Sequence, residues 1–173
     1  MLRANNQSRL QEKRTLRGLY VWHQATPFAC FLDTSAVAST VIVYPGMVAS
    51  KTTGEQMKVA GGTDVPYGLF ANFINGQMDE LGGGTEIGVY RGGPDAMFEV
   101  LAGPNSVETP LDATITWTSS NATAGGVALF QKSDGSGQLS TASSGPIVCR
   151  LVEAVSNSKI IITLDLRTGS YTT

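Results

Sequence analysis

Apolar residues come in short bursts along this chain, each closed off by Gly, Pro, Ser, Asn or Asp. "LYVWHQ" (19–24), "PFACFLD" (27–33) and "STVIVYPGMVAS" (39–50) begin the series, the last with a β-branched run broken by Pro45-Gly46. Such runs predict strands, since β-branched side chains suit a pleated surface and Pro-Gly suits a turn. "KTTGEQMKVAGG" (51–62) predicts a hairpin turning near Thr53-Gly54, followed by a strand in "YGLFANF" (67–73). "EIGVY" (86–90) and "AMFEVL" (96–101) add two more strands. In "DATITWTSS" (112–120) Ala113, Ile115 and Trp117 alternate with three threonines, which predicts a half-buried strand. "GGVALFQKSDGSGQLST" (125–141) reads as strand, Asp-Gly turn, strand, and "PIVCRLVEAVSNSKIIITLDL" (146–166) as two strands around Ser156-Asn157-Ser158.

A helical stripe competes at one place only. Phe70, Phe73, Ile74, Met78 and Leu81 share a helical face, but Asn75-Gly76 interrupts it with a turn signal. Strand, turn and short segment is the preferred assignment, with room for one helical turn after Asn75. The expected fold is all-β, with about ten short strands in a barrel or sandwich.

The pattern also repeats. "GMVASKTTGEQMKVAGGTDVPYGLFAN" (46–72) and "GVALFQKSDGSGQLSTASSGPIVCRLVEA" (126–154) each run hairpin, polar bend, proline, strand. The echo implies either one pseudo-symmetric β-fold or two similar β-subdomains. The expected division is a basic N-terminal arm over 1–18, a first β-block over 19–104 and a second over 105–173, which can also form one domain.

Composition narrows the class. At 173 residues, 42% apolar and 15% charged, the chain can bury a core without metals or staples. The net charge of −2 conceals an asymmetry. Residues 1–17 carry Arg3, Arg9, Lys13, Arg14 and Arg17 against Glu12, whereas the remainder carries seven cations and thirteen carboxylates. The arm could form a short helix over Ser8–Leu16, or order only on a partner. No apolar run follows its arginines, which predicts synthesis in the cytosol without a secretion signal, and none is long enough for a helical membrane span. Cys30 and Cys149 make no disulfide framework, and Asn6 and Asn121 open sequons without a secretory context.

Catalytic chemistry finds little to stand on. His23 is the single histidine, so any Ser-His or Cys-His device would need it, and no G-x-S-x-G surrounds a serine. "GGGTEIG" (82–88) lacks the spacing and the Lys-Ser/Thr of a phosphate loop. Carboxylates such as Asp79-Glu80 and Asp95/Glu99 are scattered. No catalytic residue, cofactor or metal site is expected. The acidic body argues against nucleic acid.

Two stretches, "YPGMVASKTTGEQMKVAGGTDVPYGLFANF" (44–73) and the pair "DGSGQLSTASSGPIVCRLVEA" (134–154) with "KIIITLDL" (159–166), resemble tailed-bacteriophage capsid decoration proteins. These are also called head-stabilisation or cement proteins, and the likeness spans 40–166. The resemblance implies a β-rich body added to the outside of the phage shell, commonly as a trimer, with an N-terminal arm laid on the major capsid protein. It implies a virion location and no enzymatic role. On that reading Arg3, Arg9, Lys13, Arg14 and Arg17 contact the capsid, with Tyr20 and Trp22 at the junction of arm and body. Removing 1–17 would then leave a folded body with weaker shell binding. Two alternatives stand beside it: another virion component (tail-tube, head-completion or fibre-base protein), and a β-fold enzyme built on clustered carboxylates.

Overall fold

The computed structural model describes residues 16–18, 27–33, 42–75, 86–91, 96–118, 126–142, 145–164 and 166. Among them there is no helix, and thirteen strands stand where about ten were expected. In chain order these are β1 (Leu16–Gly18), β2 (Phe28–Leu32), β3 (Ile42–Val43), β4 (Val48–Lys51), β5 (Gln56–Val59), β6 (Pro66–Phe70) and β7 (Ile74–Asn75). They continue with β8 (Glu86–Tyr90), β9 (Met97–Leu101), β10 (Ala128–Gln131), β11 (Leu139–Ser140), β12 (Ile147–Ser156) and β13 (Lys159–Leu164). The fold is all-β. A closed barrel, β2-β5-β4-β6-β8, adjoins a six-stranded sheet, β1-β9-β13-β12-β10-β11, and β3 pairs with β7.

The echo in the sequence is an echo in hydrogen bonding. In the barrel β4 lies between its hairpin partner β5 and the strand after the proline, β6. In the sheet β10 lies between β11 and β12 in the same way. Next to β6 comes β8 and then β2, and next to β12 comes β13 and then β9. The register slips between Ala49 and Ser50 in one copy and between Leu129 and Phe130 in the other. Each copy starts on a glycine in the left-handed region, Gly46 at φ 97° and Gly126 at φ 86°. Gly46 N donates to Phe70 O at 2.8 Å, as Gly126 N donates to Leu151 O at 2.7 Å. Phe70 N donates back to Met47 O at 2.9 Å, as Leu151 N does to Val127 O at 2.8 Å.

Closure follows the same rule with one interruption. In the barrel β2 runs parallel to β5, with Leu32 opposite Met57 and Asp33 N donating to Met57 O at 2.8 Å. In the second copy residues 102–110 loop out after β9, and only Leu111 returns to lie parallel to Leu139. Asp112 N then donates to Leu139 O at 2.9 Å. "FLD" (31–33) and "PLD" (110–112) are therefore structural counterparts. A larger apolar cluster joins the copies, taking Val48, Ala60 and Leu69 from the first and Phe98, Leu129, Leu139, Leu151 and Ile162 from the second. A smaller one, with Tyr44, Met47, Met57 and Phe70, fills the barrel.

Two expectations need correction. "DATITWTSS" is not a strand where the structure describes it: residues 112–118 form turns. Asp112 Oδ1 accepts from Thr114 N at 3.1 Å and from Thr114 Oγ1 at 2.8 Å, and Asn157 Oδ1 accepts from Thr118 N at 3.1 Å. Side chains thus take the backbone donors that a ladder would have used. Trp117 is buried, but Ala113 is exposed and Ile115 half-buried, so the alternation marked one core residue and misreported the backbone. The candidate helix ending at Leu16 also fails at its last residue, since Leu16 opens β1; Ser8–Thr15 lie outside the described residues, as do "LYVWHQ" and the segment after Asn75.

Candidate functional site

The first strand lies at a sheet edge. β1 is the outermost strand beside β9, pairing Leu16 with Val100, Arg17 with Glu99 and Gly18 with Phe98. Leu16 is buried in the larger core cluster, which anchors this strand. Of the residues assigned to partner contact, Arg17 has its backbone in this edge strand. Arg3, Arg9, Lys13, Arg14, Tyr20 and Trp22 lie outside the described residues, as does His23.

A second feature was not anticipated from the sequence. Tyr67 on β6 lies between two cations: the Arg91 guanidinium carbon is 4.1 Å from its ring centroid, and Lys51 Nζ is 5.8 Å away. Arg91 Nη1 also donates to Tyr67 Oη at 3.4 Å, and the guanidinium carbon lies 5.9 Å from the Phe28 ring centroid. Phe28 is 57% exposed and neighbouring Val65 is 68% exposed. Lys51, Asp64, Val65, Pro66, Tyr67, Arg91 and Leu166 line a cleft of about 360 Å³. Its members stand at positions 51, 64–67, 91 and 166, so spacing along the chain gave no signal.

The carboxylate in the cleft's described lining, Asp64, is taken by a lysine outside it. Lys58 pairs with Asp64 at 2.9 Å, Lys159 with Glu99 at 3.3 Å, and Lys132 with Asp112 at 3.3 Å and Asp134 at 3.1 Å. Neither Lys51 nor Arg91 has a carboxylate within ion-pair distance among the described residues. A guanidinium and an ammonium held against aromatic faces, with apolar side chains beside them, compose a surface suited to protein recognition.

No curated protein matches the chain. The sequence profile of one family, described as phage cement protein, matches residues 1–172. The chain belongs to the phage cement proteins. It is a structural virion protein that stabilises the capsid, and its place is the capsid.

The cement protein's most buried charged network serves packing. Asp112 accepts from Ser140 Oγ at 2.9 Å as well as from Thr114, and Lys132 stands beside it. Burial pushes the Asp112 carboxyl up, but these bonds and the Lys132 charge more than offset it and hold the group below the usual carboxylate range. Asp64 behaves alike, with Lys58, Gly61 and Ser50 outweighing burial. Asp112 also lines a cleft of about 350 Å³ with Asn105, Trp117 and Asn157, but Trp117 is 1% exposed and gives a ligand no face. Cys30 and Cys149 are buried thiols, and burial followed by the Glu55 charge pushes Cys30 up. No group of three His, Cys, Asp or Glu side chains is placed to hold a metal among the described residues.

Proposed function

We propose that this cement protein acts as a non-catalytic clamp on the outer surface of a mature phage shell. In this reading the basic arm, with Arg3, Arg9, Lys13, Arg14 and Arg17, lies on the major capsid protein. Tyr20 and Trp22 form the junction, and the body, blocks 19–104 and 105–173 folded together, stands above it. The protein is made in the host cytoplasm, assembles as a trimer and needs no nucleic acid. The family match over residues 1–172, arm included, is the observation that carries the reading. Beside it stands the charge asymmetry: a +4 arm (five cations, one carboxylate) on a body whose sum is −6 (seven cations, thirteen carboxylates). Binding only the mature geometry stabilises that geometry by mass action, and many copies each giving a few kcal/mol suffice.

The test is truncation. Leu16 is buried and pairs with Val100, so the cut that spares the sheet falls after Thr15. Deleting residues 1–15 is expected to leave the melting temperature within a few degrees while weakening binding to cement-free shells at least tenfold, measured by co-sedimentation. Full binding by the truncated chain would overturn the arm's role.

A further inference from the structure

The duplication shows what the cation–aromatic cleft is for. Phe28 faces Val89, which faces Phe70; Phe98 faces Ile162, which faces Leu151. Phe28 and Phe98 are therefore counterparts. By the same registers Lys51, opposite Met57, matches Gln131, opposite Leu139. Tyr67 precedes Gly68 as Val148 precedes Cys149, and Arg91 follows Tyr90 as Leu164 follows Thr163.

In the second copy all four counterparts are buried: Phe98 1%, Gln131 0%, Val148 0% and Leu164 1% exposed. The first copy covers them. Tyr90 packs its ring 5.0 Å from that of Phe98, and the carbonyls of Gly62 and Asp64 accept from Gln131 Nε2 at 3.1 and 2.9 Å. Val148 and Leu164 share a cluster with Val48, Ala60 and Leu69 of the first copy. The first copy uses a different face for this contact, so the union is head-to-tail and leaves one such face open. That open face holds Lys51, Tyr67 and Arg91 of the cleft, with Phe28 beside Arg91.

We infer that this face is a docking surface for an acidic segment of the shell protein; the inference rests on the cement reading above. Where its counterpart carries Gln, Val and Leu for permanent burial, the open copy carries Lys, Tyr and Arg, which keep it soluble before assembly. The phenylalanine is retained. Asp64, the carboxylate in the described lining, is held by Lys58, so Lys51 and Arg91 have no ion-pair partner among the described residues and favour an occupant that brings the acid. A carboxylate settles between the two cations at the Tyr67 edge, and an apolar neighbour packs against Phe28 and Val65. Nucleic acid fits less well, because two cations beside an apolar rim match a short acidic peptide better than a run of phosphates.

The experiment compares wild type with K51E/R91E and with the uncharged K51Q/R91Q, which guards against misfolding by charge reversal. Each is measured for melting temperature, mass in solution, and affinity for shells prepared without cement protein, at low and high salt. The expected result is unchanged mass and melting temperature with at least a tenfold loss of shell affinity in both variants. Wild-type affinity falls with salt, and the variants lose most of that dependence. Equal shell affinity of wild type and variants overturns the docking surface and leaves the cement reading intact. A variant that changes mass makes a second copy of this chain the occupant and overturns the proposal, as does loss of binding to a DNA oligonucleotide with shell binding preserved. Wild type that does not bind shells overturns the cement reading and the proposal with it.

Discussion

Asp112 is the residue on which the most local structure depends. Its carboxylate organises the 112–118 turns through Thr114, ties them to β11 through Ser140 and reaches Lys132 beyond β10. Asp112→Asn is expected to cost about 2 kcal/mol at pH 7, because buried donors lose a charged acceptor; urea unfolding would measure it. The pH dependence follows from the sign of the shifts. Asp64, Asp112 and Asp134 are all held below the ordinary value in the folded protein. Such groups give their stabilisation above the unfolded value of about 3.9 and lose it as pH falls through the folded one. The melting temperature should therefore hold from pH 7 to about 5 and drop steeply below about 4, with a shallower drop in Asp112→Asn. None of this was legible in the sequence. "PLDAT" says only that an Asx turn is available, and Ser140 lies 28 residues away.

At the level of strands and turns the sequence was far more readable, and the exceptions have physical causes. The hairpins at Thr53-Gly54, Asp134-Gly135 and Asn157-Ser158 carry their turn chemistry locally, so they stand where the pattern put them. β1 was missed because a three-residue strand is made by its neighbour: nothing in "LRG" demands extension until Phe98–Val100 presents an edge. Residues 112–118 were misread because one buried side chain needs no strand: an Asx-capped turn buries Trp117 while leaving Ala113 exposed. The glycines of the repeat separate two kinds of constraint. Gly126 has φ 86° and open space around it, so Gly126→Ala should cost about 1 kcal/mol of backbone strain alone. At Gly61 the backbone is ordinary but a Cβ would sit 2.4 Å from Gly135 Cα, at the seam between the copies. Gly61→Ala should cost about 2 kcal/mol or more, since backbone must move. Denaturant midpoints of the two variants, compared side by side, would show the seam to be the tighter site.

Taken whole, the molecule is two copies of one strand plan that no longer do the same work. One copy has closed completely; the other has let residues 102–112 replace a strand edge with turns and has given its face to its twin. Because the larger apolar cluster draws on both, calorimetry should find a single unfolding transition with equal calorimetric and van't Hoff enthalpies. Two transitions would mean that the copies melt separately. The placement of β1 carries a consequence in time. Leu16 finds Val100 across 84 positions (100 − 16), and β9 in turn leans on β13 at Lys159–Leu164. Contacts this distant in sequence form late and make folding slow. The root of the arm therefore has no place to anchor until nearly the whole chain has left the ribosome. On the clamp reading proposed above, a chain without β13 lacks this edge, so only finished molecules would compete for the shell.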